Sequence, residues 1–297
     1  MVTIRVLRAG PLATLQDAGR PGLLRYGLSA SGPMDRGAFQ RAGDWVGGAG
    51  GTGIEFTSAG ISFAVEDGTL GAAFDGGAFG LHVDGTAKNW PARAVLKPGS
   101  KVDITPGAAG NYGYVRFDRE IDVAEVLGSR ATSSIAGLGG WEGRALRTGD
   151  AIPFGAAIAR RPSQHPRPID VTAGPIRVIW GLHADRFDAE TRQAFISRSF
   201  RVSPQLDRMG VRLGDEAGVF AHTRVLSLVS DAVVPGDIQI LGDGTPIVLM
   251  RDHQPTGGYP RIATVISADL DRFAQLRPGT EVHFEPVTLA HAQEARP

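Results

Sequence analysis

The sequence of 297 residues contains no cysteine, which excludes several kinds of chemistry. Disulfide bonds, thiolate nucleophiles and cysteine metal sites cannot form. Lysine is scarce, because only Lys88, Lys97 and Lys101 among the 31 basic residues are lysines. None of them ends a phosphate-binding G-x-x-x-x-G-K-[ST] loop or lies in the Met-Lys-Met sequence of a biotin attachment site. A nucleotide or a biotinyl group must therefore bind in another way or on another chain.

An excess of charge of one sign is also absent, since 31 acidic residues balance the 31 basic ones. We therefore expect no nucleic-acid partner and no membrane partner. No apolar run approaches the ~18 residues of a membrane span. The first residues, MVTIRVLRAG, lack the apolar core of a signal peptide, so a cytoplasmic location is the default expectation.

Two common catalytic patterns are missing as well. The seven histidines show neither H-x-H nor H-x-x-x-H spacing, so we predict no metal site. No G-x-S-x-G elbow occurs, so nothing indicates the serine site of an α/β-hydrolase.

Glycine, by contrast, is abundant, with 41 residues. Short apolar runs lie between glycine or proline turns, as in VTIRVL (2–7), ISFAVE (61–66), YGYVRF (112–117) and PIVLM (246–250). Runs of this length and spacing are typical of strands in a barrel or sandwich. The proline-rich segment 159–171 has no apolar period and predicts a domain boundary. We predict a mainly β protein with two β-barrel domains, 1–160 and 168–290, and a few short helices.

One short element occurs three times, as LKPGSKV (96–102), LRTGDAI (146–152) and LRPGTEV (276–282). Each copy has a leucine, a basic residue, a glycine at the fourth place and an aliphatic residue at the seventh. This pattern predicts a tight glycine turn that leads into a strand whose aliphatic residue points inward. Chance similarity among glycine turns is the alternative.

Helical spacing of apolar residues occurs in three segments, 34–48, 188–197 and 267–276. Each segment has a candidate residue to cap its first turn, namely Ser31, Asp188 and Ser267. Asp35 then lies in the first turn of the first helix.

The stretch TLQDAGRPGLLRYGLSASGPMD (14–35) concentrates polar side chains on a backbone rich in turns. Gln16, Asp17 and Arg20 lie among glycines and a proline, which fix a turn and permit close backbone approach. An amide, a carboxylate and a guanidinium on such a loop are suited to binding a small polar ligand. Ser31 and Asp35 extend this first cluster to a helix N-terminus, a natural anion site. An Asp–Arg pair that only pins the loop is the alternative.

A second cluster, SPQLDRMGVRL (203–213), combines the same three chemical groups in Gln205, Asp207 and Arg208. Arg208 is suited to bidentate binding of a carboxylate or a phosphate. A structural pairing of Asp207 with Arg208 is the alternative.

The third cluster is MRDHQPTGGYPRIATV (250–265), with VVPGDIQ (233–239) upstream. Gly257 and Gly258 allow backbone N–H groups to face a ligand in a nest of the oxyanion or phosphate type. A wide hairpin turn is the alternative. The polar residues of this cluster are Gln239, Gln254, Thr256 and Tyr259.

The three clusters resemble one family when they are taken together with other motifs in the same order. The motifs are TLQDAGRPG, SGPMD, EFT, VLGSRAT, GLGGWEGRALRTGD, SPQLDRMG, VVPGDIQ and QPTGGYPRIATVISADL, which are collinear over about 250 residues. The family is that of KipA, also known as allophanate hydrolase subunit 2, as the C component of 5-oxoprolinase or as the biotin-dependent carboxyltransferase family.

The resemblance implies barrel modules of the cyclophilin-like type and a KipI-like partner subunit. It implies most directly a subunit of an ATP-dependent 5-oxoprolinase complex that opens 5-oxoproline to glutamate. ATP would bind together with partner subunits, and a lactam-hydrolase-type third chain is a candidate member of the complex. One alternative is a carboxyltransferase component that moves a carboxyl group from carboxybiotin, held on another chain, to urea or a similar amide. Another is a non-catalytic antagonist of a KipI-like inhibitor of a histidine kinase.

The resemblance also assigns site residues, and all three clusters are expected to converge on one cleft. Asp17, Arg20 and Arg208 are the candidate catalytic residues, with the two arginines as anion holders and Asp17 as an orienting or acid–base carboxylate. The candidate substrate-binding residues are Gln16, Ser31, Asp35, Gln205, Asp207, Gln239, Gln254, Thr256, Gly257, Gly258 and Tyr259. No metal ligand is assigned.

The chain departs from the family pattern in several places, namely residues 74–79 and 115–123, Leu206, His253 and Pro255. A bulky charged loop at 115–123, where relatives carry a glycine-rich loop, is expected to narrow the pocket. These departures bear on the substrate and on activity rather than on the fold.

Overall fold

The computed structural model describes residues 2–47, 51–158, 174–222 and 227–295. These residues form two compact units. The first contains the described residues of 1–21 and 30–169, and the second contains those of 22–29 and 170–297. The predicted boundary at 159–171 lies outside the described residues. The placement of 22–29 with the second unit was not foreseen from the sequence.

The first unit is built on one antiparallel sheet. Its strands are β1 (Val2–Ala9), β2 (Thr14–Gln16), β3 (Gly53–Thr57), β4 (Ile61–Asp67), β5 (Leu70–Val83), β6 (Thr86–Lys88), β7 (Ala92–Leu96), β8 (Lys101–Phe117), β9 (Arg119–Ile121) and β10 (Ala151–Ala157). The main strand order is β2-β3-β8-β4-β1-β10-β9, and β5 pairs with β6, β7 and β8.

Alternating side chains give this sheet its core. On β1, Val2, Ile4 and Val6 are buried, while the residues between them are only half-buried. This period of two is what a strand with one covered face requires. The three residues join a large apolar cluster that includes Phe63 and Phe117, whose rings meet edge to face at 6.2 Å.

The second unit contains an eight-stranded sheet and a separate two-stranded ladder. Its strands are β11 (Ile176–Trp180), β12 (Phe200–Leu206), β13 (Gly210–Gly214), β14 (Asp231–Ala232), β15 (Asp237–Ile240), β16 (Pro246–Leu249), β17 (Thr256–Gly257), β18 (Arg261–Val265), β19 (Glu281–Val282) and β20 (Phe284–Pro286). The sheet order is β19-β12-β13-β16-β15-β18-β11-β20, and β14 pairs with β17. Within the sheet β11 and β20 run parallel, and the other described pairs are antiparallel.

The described ranges contain four α-helices, and the first three match the predicted segments. They are α1 (Arg36–Val46), α2 (Ala189–Ser197), α3 (Ser267–Ala274) and α4 (Leu289–Glu294). The Asp188 side chain caps α2 as predicted, since it accepts a hydrogen bond of 2.7 Å from the Thr191 N–H.

Two predicted caps are wrong. Asp35, not Ser31, caps α1, because its extended backbone directs Oδ1 to the Ala38 N–H at 2.8 Å. Ser267 is the first residue of α3 itself, and the cap position is occupied by Ile266, which offers no side-chain hydrogen bond.

The repeated glycine turn is confirmed in all three copies. Each glycine has a left-handed φ, of 86° at Gly99, 96° at Gly149 and 87° at Gly279. Each glycine N–H donates a 2.8 Å hydrogen bond to a strand carbonyl, that of Val65, Val6 and Val202, respectively. The aliphatic residue that follows is buried in every copy, as Val102, Ile152 and Val282. The glycine is required because an L side chain is strained at such φ values.

The predicted mainly β fold with two barrel modules is confirmed, since the sheets form a half-barrel and a near-barrel. Among the described residues, no helix is both long enough and apolar enough to cross a membrane.

Candidate functional site

The first predicted cluster is engaged in holding a loop of its own unit. The Asp17 carboxylate accepts hydrogen bonds from the Gly19 N–H at 2.8 Å, the Ser129 hydroxyl at 2.6 Å and the Arg130 N–H at 2.6 Å. The Arg20 guanidinium is buried and donates to the carbonyl oxygens of Val126, Ser129 and Ala131. Both side chains therefore fix the segment 126–131, which favours the loop-pinning alternative over direct ligand binding.

Gln16 completes this arrangement from the end of β2. Its buried amide donates to Thr14 Oγ1 at 3.0 Å and to the Thr132 carbonyl at 3.3 Å, and its oxygen accepts from the Gly32 N–H at 3.0 Å. Ser31, next to that glycine, is buried and has a left-handed φ of 55°. These contacts join three separate segments of the first unit.

Asp35 belongs to a neighbouring buried network. Its N–H donates to the Tyr114 hydroxyl at 2.7 Å, and that hydroxyl donates to Glu55 Oε2 at 2.9 Å. Burial raises the pKa of Tyr114 well above its ordinary value, and the negative charges of Glu55 and Asp35 raise it further. The Glu55 carboxylate also accepts from the Met34 N–H at 2.7 Å, so this group fixes the start of α1.

The second and third clusters, in contrast, meet at one cleft of about 520 Å³ in the second unit. Its size is typical of a small-molecule site. Five predicted residues line it, namely Gln205, Asp207, Gln239, Gln254 and Tyr259. The expectation that the first cluster shares this cleft stays a prediction.

Three neighbouring strands form the floor of the cleft. In the antiparallel register, Arg212 on β13 lies opposite Ile247 on β16, and Ile247 lies opposite Gln239 on β15. Residues directly opposite each other point to the same face of a sheet, and all three line the cleft.

The opposite face of these strands is core. The adjacent registered row consists of Val211, Val248 and Ile238, and all three are buried. The alternation of strand residues therefore places the Gln239 amide and the Arg212 guanidinium on one face of the sheet, while the opposite face packs into the core.

The turn between β12 and β13 forms one wall. Asp207 Oδ1 accepts hydrogen bonds from the Met209 N–H at 2.7 Å and the Gly210 N–H at 3.1 Å, so the carboxylate fixes this turn. The turn holds Gln205 and Leu206 at the cleft. Gln205 is exposed, and its own N–H donates to Ser203 Oγ at 3.1 Å.

Gln239 is the most deeply placed polar residue of the cleft, with 1% of its surface exposed. Its side-chain oxygen accepts from Gln254 Nε2 at 3.4 Å. Its Nε2 has no hydrogen-bond partner among the described residues. A buried amide nitrogen without a partner is costly, so this N–H group is a candidate donor to a bound molecule.

The two glycines of the third cluster do not form the predicted nest. A nest needs backbone residues of alternating handedness, and neither Gly257 nor Gly258 adopts the left-handed conformation. Gly257 instead pairs with Asp231 in the β14–β17 ladder. A Cβ added at Gly257 would lie 2.4 Å from Gln239 Nε2, so glycine is needed there for close approach.

The ladder is held in place by Arg261, which the sequence interpretation had not singled out. Its guanidinium donates to Asp231 Oδ2 and to the Ala232 carbonyl, both at 2.7 Å. Thr256 pairs with Ala232 and is exposed. Tyr259, which follows strand β17 of this ladder, lines the cleft, and 39% of its surface is exposed.

Arg208 is not among the residues that line the cleft. Its Nε and Nη2 donate to the two oxygens of Asp252 at 2.8 and 3.1 Å, and both side chains are about 95% buried. The alternative pairing with Asp207 is therefore wrong, and the bidentate fork predicted for a ligand anion binds a carboxylate of the chain itself.

Arg212 is the residue that sequence reasoning missed. It lines the cleft, is exposed, and makes no ion pair with any described residue. The available signal was its spacing of two from Gly210 in the quoted motif, because alternate strand residues share a face. The sequence interpretation selected Arg208 instead, because a guanidinium beside a carboxylate and an amide is suited to bidentate binding of an anion.

The departure at 115–123 is not a loop, and that expectation is wrong. Its first residues end β8 and residues 119–121 form β9. Arg116 is buried, with its guanidinium carbon 4.0 Å from the centre of the Phe39 ring. Burial lowers the pKa of Arg116 to about 10.

His253 is buried as well, and its Nδ1 lies 2.6 Å from the Gln254 carbonyl oxygen. Burial lowers the pKa of its imidazole below the ordinary value.

Comparison with known proteins supports the family resemblance seen in the sequence motifs. The model of the carboxyltransferase domain family, subdomains A and B, matches residues 26–286. The C component of 5-oxoprolinase from Escherichia coli (strain K12) is 34% identical over 297 residues, which cover 99% of this chain and 94% of that protein.

Two solved structures show the same fold. The crystal structure of TTHA0988 superposes with a TM-score of 0.84 at 28% identity, over 96% of this chain and 56% of that one. The crystal structure of Kluyveromyces lactis urea carboxylase superposes with a TM-score of 0.88 at 25% identity, over 98% of this chain and 28% of that one. The chain thus spans about half of the first protein and about a quarter of the second.

These matches confirm the resemblance inferred from the collinear motifs. The family model spans most of the chain, and the Escherichia coli relative aligns along nearly all of it. The chain therefore belongs to the carboxyltransferase domain family and carries its subdomains A and B.

Proposed function

We propose that this chain is the C component of a 5-oxoprolinase-type complex, which opens the lactam 5-oxoproline to glutamate at the expense of ATP. The observation that carries the proposal is the alignment with the C component of Escherichia coli 5-oxoprolinase over nearly the full length of both chains. We further propose that a KipI-like subunit and a lactam-hydrolase-type third chain complete the assembly, and that this chain is inactive alone.

The cleft of the second unit is suited to an amide or lactam ligand. When the carbonyl carbon of a lactam is attacked, negative charge develops on the carbonyl oxygen, and preorganised N–H donors stabilise that charge. Gln239 offers such a donor in a buried position, and the Gln254 amide lies beside it. Gln239 Nε2 is desolvated and unpartnered among the described residues, so a ligand carbonyl that reached it would gain a hydrogen bond without competing with one inside the chain.

The donor set of the cleft does not fit ATP. Proteins hold a triphosphate with a lysine, a glycine-rich backbone cradle and a bound Mg²⁺. Among the described residues that line the cleft, Arg212 is the one cation. Nowhere in the described ranges do three histidine or acidic side chains group as a metal site would require. We therefore propose that ATP binds on the partner subunits.

A second candidate function is carboxyl transfer to urea or a similar amide. The observation that favours it is the superposition on urea carboxylase over 98% of this chain. Carboxybiotin would then be held on another chain, since no lysine here lies in a biotin-attachment sequence. The antagonist role implied by the family resemblance stays a hypothesis.

The experiment that tests the proposal is reconstitution. The chain is co-purified with its KipI-like and lactam-hydrolase-type partners, and glutamate release from 5-oxoproline is measured with and without ATP. We expect ATP-dependent release only when all chains are present. Gln239→Glu keeps the shape of the side chain but removes the N–H donor, so we expect it to abolish most of the release. Gln193→Glu, at an exposed position on α2, is the matched control.

Release that does not need this chain would contradict the proposal. Carboxylation of urea by the assembly in the presence of carboxybiotin, without glutamate release, would establish the second candidate instead.

A further inference from the structure

Arg212 is the charged residue of the cleft whose guanidinium makes no direct hydrogen bond or ion pair with a described residue. Arg212 lines the cleft and makes no direct ion pair within the described part of the chain, although its charge helps to lower the pKa of Asp243. The nearby carboxylates are held by backbone N–H groups, Asp207 by Met209 and Gly210, and Asp243 by Thr245. A guanidinium fork in this state is suited to a carboxylate supplied from outside.

The position of Arg212 relative to Gln239 is set by the sheet. The two residues are separated by Ile247 in one registered row across β13, β16 and β15. Two strand spacings place their Cα atoms about 10 Å apart on the same face. Both residues line the cleft, with Arg212 exposed at one end of this row and Gln239 buried at the other. Ile247 provides an apolar surface between them.

We propose that Arg212 binds the carboxylate of the ligand while the Gln239 amide binds its carbonyl oxygen. The inference rests on the proposed function for the identity of the ligand, 5-oxoproline. That molecule carries a carboxylate and a lactam carbonyl on the two carbons that flank its ring nitrogen, where they diverge from each other, and the apolar CH₂–CH₂ edge of the ring faces Ile247. Arg212 is then a specificity-determining residue that selects carboxylated lactams and amides over neutral amides such as urea.

Recognition by these two groups distinguishes the two candidate functions through Arg212, because 5-oxoproline has a carboxylate and urea has none. Urea has a carbonyl for Gln239 but no carboxylate for Arg212. A neutral ligand would leave the guanidinium unpaired and gain nothing from it. Because Arg212 is exposed, its contribution is also expected to weaken as ionic strength rises.

The test is a binding titration of the full chain with two ligands that share one ring. 5-Oxoproline carries the carboxylate, and 2-pyrrolidinone lacks it. We expect the wild-type chain to bind 5-oxoproline about tenfold more tightly, as a charge-assisted hydrogen-bonded pair provides. Arg212→Gln should reduce the affinity for 5-oxoproline to that for 2-pyrrolidinone and leave 2-pyrrolidinone unchanged. Arg212→Lys should restore part of the preference.

The control is Arg93→Gln, at an exposed arginine of strand β7 in the first unit, and this variant should bind as wild type. Equal affinity of the wild-type chain for the two ligands, or no binding of either, would overturn the inference. A preference for 5-oxoproline that survives in Arg212→Gln would overturn it too.

The reconstituted assay separates this inference from the proposed function. A preference lost in Arg212→Gln, together with no ATP-dependent glutamate release by the wild-type assembly, would reject the function and keep the carboxylate site. Normal release with an unchanged KM for 5-oxoproline in Arg212→Gln would keep the function and reject the carboxylate site.

Discussion

The buried pair of Arg208 and Asp252 gives the sharpest prediction about stability. Replacing Arg208 with alanine removes both donors from the Asp252 carboxylate, which is almost fully buried. A buried charge without its partner costs about 3–5 kcal/mol. The sequence interpretation of Arg208 as a ligand holder expects the opposite, a loss of activity with little loss of stability.

Native-state hydrogen exchange followed by mass spectrometry measures this change within the second unit. Amides of β13 and β16 that exchange through unfolding should exchange roughly 100- to 5,000-fold faster in Arg208→Ala, since each 1.4 kcal/mol is tenfold. Arg93→Ala removes an exposed arginine from a strand and should change stability by less than about 0.5 kcal/mol.

A double variant tests the cause of the effect. Replacing both partners with apolar residues of similar volume, as in Arg208→Met with Asp252→Leu, removes the unpaired charge and should recover most of the stability. If Arg208→Ala exchanges like the wild type and loses only activity, the structural account of Arg208 is refuted and an anion-binding role returns.

Three further perturbations follow from other contacts. Gly257→Ala should weaken 5-oxoproline binding, because its Cβ would lie 2.4 Å from Gln239 Nε2 and displace the amide; the titration described above measures this. Asp17→Ala should destabilise the first unit by about 1–3 kcal/mol, since three donors lose their acceptor; urea unfolding followed by tryptophan fluorescence measures it. The stability of the second unit should fall as pH drops below about 6.5, because the lowered pKa of buried His253 means that the unfolded chain binds the proton more readily. His253→Gln should reduce that decline in hydrogen exchange of the second unit, and the remainder is expected from His183, whose pKa burial also lowers.

Each of these has a contradicting result. Unchanged ligand affinity in Gly257→Ala would show that Gln239 tolerates the added methyl group, or that its amide is not the ligand's donor. Unchanged stability in Asp17→Ala would show that the 126–131 loop does not depend on the carboxylate. An identical decline below pH 6.5 in His253→Gln would assign the effect to another group.

Local features were predictable from the sequence because their causes are local. The glycine turns at Gly99, Gly149 and Gly279 follow from the φ values that only glycine adopts easily. Asp188 caps α2 because its side chain lies three residues before the N–H that it accepts from. Five of the thirteen residues lining the cleft were anticipated, because the motifs that contain them are distinctive.

Long-range pairings were not predictable in the same way. Asp252 lies 44 residues after Arg208, and nothing in either motif indicates the partner. Similarly, the segment 126–131 that Asp17 and Arg20 hold lies more than 100 residues away. The spacing of two from Gly210 indicated only that Arg212 shares a face with that glycine. Which face lines the cleft required the register of β13, β16 and β15, because a shift of one residue would turn Arg212 to the other face.

The measurement that tests the central claim most directly is an NMR titration of the full chain with 5-oxoproline, observing side-chain amide signals. The Gln239 signal is assigned by its disappearance in Gln239→Glu. We expect the side-chain signals of Gln239 and Gln254 to shift in a saturable manner while that of Gln193 on α2 stays fixed. Saturable shifts elsewhere, with both cleft signals unmoved, would contradict the assignment of this cleft as the ligand site.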